Sequence, residues 1–404
     1  MKQFDITYFH GPWSEHIVKE ECIKDMANSG ITLSQLLYTS TEANKKALPL
    51  LKKYGMRASI FEDRIRETYR KKDISLVDAV VKEVVEDYAE FDNINGWEIA
   101  DEPSSKDFPV LKAFVDAFRR YDPERETVIN LFPTYATPEM LKDPDYVTHI
   151  ERFVDEVKPD FISYDHYPFM GRVRKEKLSD PNQVDDERER LIRLASEAIE
   201  DRDDFFENLE IARRTGLKND IEQMVILMVT EHGSCRNITR QEILWEVNMS
   251  LAYGMHRISY FTYWLPNQDE NDRYWLWDNA MCDREGNKYQ HYYDVQAVNK
   301  LILPIGKMLF ETKSKAVFHV GKQEKGTTPF TRYEHVKEIV GDNAVVGFFE
   351  DGSVYLVNRD FVNENTLTIC ADKEFVIYEN GDFVSTGKNK TITLSAGAAV
   401  LLKW

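Results

Sequence analysis

Residues 224–230 read MVILMVT, a run that is apolar at every position but the last and is followed directly by EHGS at 231–234. A strand that faces water on one side alternates apolar and polar residues; one apolar on both faces is covered on both, as parallel strands in α/β folds are. Outward from this run the same theme recurs in the first three hundred residues. The expected strands are Phe4–Phe9, Thr32–Tyr38, Met56–Phe61, Gly96–Ala100, Thr127–Phe132, Phe161–Asp165, Met224–Thr230 and Arg257–Trp264. Amphipathic segments separate them. After Ser75, for example, Val77, Val81, Val84, Tyr88 and Phe91 recur at three- and four-residue spacing, one face of a helix. Ser14 is placed to cap a first helix, with Trp13 and Val18 as a hydrophobic staple, and Thr239 to Glu242 fits a capping box.

Eight β/α units in about 310 residues have the size and period of a (β/α)₈ TIM barrel. A doubly wound sheet would carry a Gly-rich first turn, and none follows Phe9. From about Ala316 the pattern becomes short alternating runs, with DG at 351–352 and NG at 380–381, the residues preferred in two-residue hairpin loops. The expectation is therefore a barrel over residues 1–312 and a small antiparallel β-sandwich over 316–404.

The chain has 404 residues, with 52 Lys and Arg against 70 Asp and Glu, a formal charge of -18. That charge repels nucleic acid and anionic membranes, so neither is an expected partner. Residues 313–404 hold 11 basic and 12 acidic side chains, which places almost all the acidity in the barrel. The charge-laced stretch from Asp185 to Arg214 reads as a solvated helix face. No apolar run is long enough to span a bilayer, and MKQFDITYFHGPW lacks an export pattern, which predicts a cytoplasmic protein if the natural chain begins here. The four cysteines, without any CxxC, read as free thiols.

Barrel chemistry sits at the C-terminal ends of the strands. The fourth ends in GWEIADEPS (96–104), placing Glu102 at the mouth just before Pro103; the seventh ends in VTEHGS (229–234), placing Glu231 there. These strands lie across the barrel from each other, so the two glutamates can face one another. Facing carboxylates are the equipment for cleaving a glycosidic bond, one as acid and the other as nucleophile, about 5–5.5 Å apart when configuration is retained. The sixth strand continues ISYDHYPF (162–169), with Tyr164 and His166 on one face and Asp165 and Tyr167 on the other. Aromatic residues crowd the eighth-strand loop, with Tyr274, Trp275 and Trp277, and His10, Trp13, Arg57 and Glu62 lie near the first and third strands. A Trp-rich mouth suits carbohydrate, although clustered aromatics also anchor loops.

GWEIADEPS resembles the strand-four signature of clan A glycoside hydrolases, especially the YEIANEP type of family 5, and VTEHG resembles their strand-seven motif. The resemblance extends over the barrel to ISYFTYW (258–264). It implies a retaining hydrolase of β-linked glycosides with no cofactor, Glu102 as acid/base, Glu231 as nucleophile, Trp264 as the sugar platform, and Tyr164 or His166 steadying the nucleophile. Asp101, Trp275 and Trp277 would then contact the substrate. The chain departs from the family at Asp101, where Asn is usual: an amide donates and accepts, an ionised carboxylate only accepts, so contact with the sugar 2-hydroxyl changes character. The added charge would also raise the pKa of Glu102.

Two rival readings remain at this level. A non-catalytic sugar-binding barrel is compatible with Asp101. A metal-dependent barrel enzyme would draw on Asp101, Glu102, His166, Glu231 and His232, but sequence neighbours on a strand point to opposite faces, and no HxH or HExxH occurs.

Overall fold

The computed structural model describes residues 3–171, 200–267 and 275–404. All eight expected barrel strands form: β1 (Asp5–Phe9), β2 (Leu33–Leu36), β3 (Arg57–Ile60), β4 (Ile94–Asp101), β5 (Glu126–Leu131), β6 (Phe161–His166), β7 (Glu222–Met228) and β8 (Arg257–Phe261). Every ladder between them is parallel, in the order β1-β8-β7-β6-β5-β4-β3-β2. At the remaining seam Thr32 donates its N–H to the Ile6 carbonyl at 2.9 Å and accepts the Ile6 N–H on Oγ1 at 3.0 Å, which joins β1 to the approach of β2. Met224, Val225, Ile226, Leu227 and Met228 of β7 are all buried, as a strand covered on both faces requires. Each such side chain contributes about 1.5–3 kcal/mol by leaving water. β7 and β8 end earlier than expected, at Met228 and Phe261, because the chain leaves the ladder to build the mouth.

The helix after Ser75 forms over Ile74–Asp87 with Asp73 as its cap, and Val77, Val81 and Val84 face inward. Tyr88 at its end meets Trp97 of β4 edge-on at 5.6 Å, and Trp97 Nε1 donates to Asp122 at 2.8 Å, so this helix is pinned to the strand that carries Glu102. The capping box at Thr239 forms: its Oγ1 accepts the Glu242 N–H, and Glu242 accepts the Thr239 N–H at 2.7 Å. Ser14 differs from expectation. Trp13 holds the N-cap position, and Ser14 Oγ accepts from the Ser40 backbone instead, tying two loops together. Of the stretch Asp185–Arg214, residues 185–199 lie outside the described residues, and its end enters the helix Phe205–Asn219.

The N-terminal end of the barrel is closed by charge. Arg257 makes two hydrogen bonds to Glu126 at 2.6 and 2.7 Å and one to Glu222 at 3.0 Å, and Arg57 pairs with Asp5. Arg57 therefore serves the floor and not the mouth. Among the described residues no helix is long and apolar enough to cross a membrane, and all four cysteines are free thiols.

After the helix Gln290–Phe310 the chain forms β9 (Ser314–Val320), β10 (Val336–Val340), β11 (Ala344–Phe349), β12 (Ser353–Asn358), β13 (Asn365–Ala371), β14 (Val376–Glu379), β15 (Asp382–Ser385), β16 (Asn389–Leu394) and β17 (Ala399–Lys403). A six-stranded sheet, β15-β14-β17-β12-β11-β9, faces a three-stranded one, β10-β13-β16, around Val346, Phe348, Leu356, Leu367 and Ile369. Both hairpins form: Asn380 and Gly381 (φ 54° and 97°) make the expected two-residue turn between β14 and β15, whereas Gly352 (φ 83°) ends a longer loop between β11 and β12, whose last pair is Phe348 with Val354. The helix Arg240–Ala252 lies between barrel and sandwich, its first two residues exposed and nearly all the rest buried. Its Trp245 Nε1 donates to the Arg359 carbonyl at 2.8 Å, and its Asn248 accepts from Tyr355 at 2.6 Å.

Candidate active site

Strand β4 delivers Glu102 through an irregularity. Glu98 pairs with Val128 of β5 and Ala100 with Ile129, so Ile99 is the extra residue of a bulge. The slip brings Asp101 opposite Asn130, and Glu102 then turns out of the strand at φ 45° with its N–H donating to the Asn130 carbonyl at 2.8 Å. A non-glycine residue in this left-handed region costs about 1–3 kcal/mol and persists only where its surroundings fix it.

Around Glu102 the carboxylates gather. Burial, then the charges of Asp165 and Asp101, push the Glu102 pKa well above the carboxylate range. Asp165, buried at the end of β6, is raised by burial and by Asp101, against a hydrogen bond from Asn130. Asp101 is raised as protein crowds it, again opposed by Asn130; its side chain is exposed at the mouth, so water screens much of that push. Asn130 Nδ2 reaches both acids, Asp101 Oδ1 at 3.0 Å and Asp165 Oδ1 at 2.9 Å, while its own Oδ1 accepts from Ser163 at 2.9 Å.

Across the mouth, Glu231 is buried and exchanges backbone hydrogen bonds of 3.0 Å with Asp278; Asn279 Nδ2 donates to Glu231 Oε2 at 2.7 Å. That contact fixes the orientation of the carboxylate. The next residue, His232, donates from Nδ1 to the Thr230 carbonyl at 2.7 Å, and burial pushes its pKa down to about 4, so the ring is neutral. His232 stacks on Trp277 at 5.1 Å, and Trp277 on Trp275 at 5.8 Å. Trp275 is 49% exposed, so these rings lead inward from solvent toward Phe261, 5.1 Å from His232. Tyr167 joins the two halves. Its ring meets His232 and Phe261, each at 5.2 Å, while burial, and after it the charges of Asp165, Glu102 and Asp101, hold its hydroxyl protonated.

Three expected site residues lie elsewhere. Tyr164 is fully buried near Tyr146 and Tyr253, outside the barrel wall, and His166 donates from Nε2 to Asp204 Oδ1 (3.0 Å) with its ring against Phe205. Strand alternation separates the two faces of β6 correctly, but the face directed at the mouth is that of Asp165 and Tyr167. Trp264 is 3% exposed, packed on His16 and under Gly286, where a Cβ would come within 2.5 Å of its ring. Because β8 ends at Phe261, that residue and not Trp264 meets the aromatic cluster of the mouth.

Asn130, Asp165, Tyr167, Phe261 and Asn279 are thus the residues that sequence reasoning overlooked as mouth groups. For Asp165 and Tyr167 the period-two signal was present; for Asn279 no local motif announces it. Glu62 caps the helix Asp63–Lys71 and takes no part. His10, Trp13 and Tyr38 pack together at the rim, beside a cavity of about 380 Å³ lined by Trp13, Ser14, Glu15, Tyr38, Asn267 and Arg284. Tyr274 lies outside the described residues. Among the described residues no three His, Cys, Asp or Glu side chains converge as a metal-binding group.

No protein-family profile matches the sequence, and no curated protein matches it. Solved structures do resemble it in three dimensions. A catalytic mutant of a GH42 beta-galactosidase from G. stearothermophilus superimposes with a TM-score of 0.62 at 8% identity, over 99% of this chain and 98% of that one. A glycoside hydrolase family 5 structure from Bacteroides vulgatus ATCC 8482 gives 0.57 at 12% identity, over 99% and 89%. The beta-galactosidase of the psychrophilic Marinomonas ef1 gives 0.53 at 10% identity over 77% of this chain, which spans only 62% of that longer protein. At such low identity the likeness concerns architecture: the chain has the (β/α)₈ barrel and C-terminal β-sandwich fold of these glycoside hydrolase structures.

Proposed function

We propose that the protein is a retaining O-glycosyl hydrolase acting on a β-linked glycoside. Glu102 is the acid/base and Glu231 the nucleophile, with the carboxyl groups about 5–5.5 Å apart. The observation that carries this reading is the raised pKa of Glu102 at the end of β4, with Glu231 placed beyond the end of β7. Burial with Asp165 and Asp101 keeps Glu102 protonated, as a general acid must be, while the Asn279 amide orients the Glu231 carboxyl group.

In the first step Glu102 protonates the leaving oxygen while Glu231 attacks the anomeric carbon. In the second Glu102, now ionised, takes a proton from water, which displaces Glu231. Phe261 and Tyr167 form the wall against which the sugar rests, and Trp275 offers a face to the leaving group. The barrel over residues 1–312 carries the chemistry, and the domain over 316–404 supports it.

The test is trapping with a 2-deoxy-2-fluoro β-glycoside bearing an activated leaving group, followed by peptide mass spectrometry. A glycosyl adduct on Glu231 is expected. Turnover without any adduct, with inversion of anomeric configuration, would refute the mechanism.

A further inference from the structure

Behind the carboxylate of Glu231 stands a histidine that the mechanism above does not use. Asn279, whose Nδ2 donates to Glu231 Oε2 at 2.7 Å, sits at φ 50°, a left-handed conformation that a non-glycine residue keeps only where its surroundings hold it. One of the groups that hold it is His291, 5% exposed in the first turn of the helix Gln290–Phe310, whose Nδ1 lies 2.5 Å from the Asn279 carbonyl. Its Nε2 lies 2.9 Å from the carbonyl of Ile238, just before the Thr239 cap of the helix Arg240–Ala252. One ring therefore joins the loop that touches Glu231 to the start of the helix between barrel and sandwich.

A backbone carbonyl only accepts, and a neutral imidazole has one donor and one acceptor. A neutral ring would turn a lone pair toward one of the two carbonyl oxygens at hydrogen-bond distance; a ring with a proton on each nitrogen satisfies both. The charged and titratable groups around it are Tyr289 and Asp294 on its own helix and Arg240 beyond Ile238, which line a cavity of about 400 Å³ with it, and Asp278 and Glu231 on the other side of Asn279. The first turn of a helix disfavours a cation, so helix formation does not select a doubly protonated histidine here; the two carbonyls do.

We propose that His291 is a positioning residue for the nucleophile: protonated on both ring nitrogens, it clamps the Asn279 turn so that the Asn279 amide stays on Glu231. The effect on turnover rests on the glycosidase reading; the clamp itself does not. Without it Asn279 is released from its left-handed backbone, and a nucleophile misplaced by about 1 Å loses on the order of 10²-fold in rate.

The experiment reads the ring and the reaction separately, in the full chain. Long-range proton–nitrogen spectra of protein labelled at the histidine nitrogens, taken near neutral pH with His291 assigned by its absence in His291→Gln, should show both ring nitrogens protonated. The Asn279 side-chain amide, assigned with Asn279→Ala, should shift in His291→Gln. A neutral ring, or an amide that does not move, overturns the proposal whether or not any glycoside is cleaved; absence of turnover on aryl β-glycosides refutes the glycosidase reading alone. On a glycoside that is cleaved, His291→Gln should lower kcat about 10²-fold and leave KM nearly unchanged. His291→Gly should regain part of the loss with added imidazole, which reaches the vacated place through the adjoining cavity, and not with 1-methylimidazole, whose methyl group blocks one of the two donors. A ring that merely filled space would be replaced by either compound, so equal rescue by both, or an unchanged kcat in His291→Gln, also overturns the proposal.

Discussion

The N–H of Glu102 donates to the carbonyl of Asn130 at 2.8 Å while Glu102 is held at φ 45°. This single bond fixes the backbone of the residue assigned as acid to the strand whose side-chain amide orders the neighbouring carboxylates, so position and protonation share one support.

Replacement of Glu102 by Gln should lower kcat/KM by about 10²–10⁴-fold on substrates whose leaving group needs a proton. Aryl glycosides with acidic phenols should lose far less, because they leave unaided. Equal losses across a leaving-group series would remove the acid role. Glu231→Ala should abolish turnover, and azide should restore it only with inverted configuration.

The pH profile provides a second check. Glu102 must be protonated to act, and its raised pKa keeps it so well above the ordinary carboxylate range, so the alkaline limb of kcat/KM should lie on the basic side of neutrality. The groups facing it are Asp165, Asp101, Tyr135 and Tyr167, with both tyrosines held neutral by burial and by the nearby acids. Asp165→Asn removes one negative charge, so the limb should move to lower pH. An unmoved or alkaline-shifted limb contradicts the assignment.

Trp275 is exposed and backed by Trp277 and His232. Trp275→Ala should raise KM about tenfold for disaccharides while barely changing kcat on small aryl glycosides, as loss of a stacking face does.

Stability should fall with alkalinity for a definable reason. Burial, with Asp101 adding to it, lifts Glu98 to about 8, although Gln35 donates to it at 2.8 Å. The folded chain therefore keeps a proton that the unfolded chain releases near the ordinary glutamate pKa. The stability this confers is intact below that value and declines as pH rises toward 8. Glu98→Gln keeps the shape without the proton, so urea midpoints should fall less steeply between about pH 5 and 8, by up to a few kcal/mol in free energy. Parallel pH slopes would exclude it. Glu246, buried and also raised, adds to the wild-type slope in both proteins.

What the sequence made legible followed from periodicity. MVILM announced a doubly covered strand, Val77–Val81–Val84 a helix face, and DG and NG their hairpins, because each depends on local geometry alone. The strand-end motifs are also what single out Glu102 and Glu231 as the proposed acid and nucleophile. Alternation on β6 grouped Tyr164 with His166 and Asp165 with Tyr167, yet the choice of which pair faces the mouth depends on barrel curvature, which no local pattern carries. Trp264 was misplaced because β8 stops three residues earlier, and the Asn130 bridge was invisible because it joins strands far apart in sequence.

The buried helix Arg240–Ala252 has a consequence for how this protein can be altered. Gly347 of β11 lies so close to the Ala252 carbonyl that a Cβ would come within 2.1 Å of the oxygen. At that point barrel and sandwich meet through backbone, beside the side-chain bonds of Trp245 and Asn248. The sandwich is not an interchangeable accessory: grafted onto another barrel it would lack a matching seat, and a barrel shorn of it would expose Trp245 and leave the bonds of Asn248 unmade. Removal of either half should cost the other its solubility, and the two should melt in a single transition.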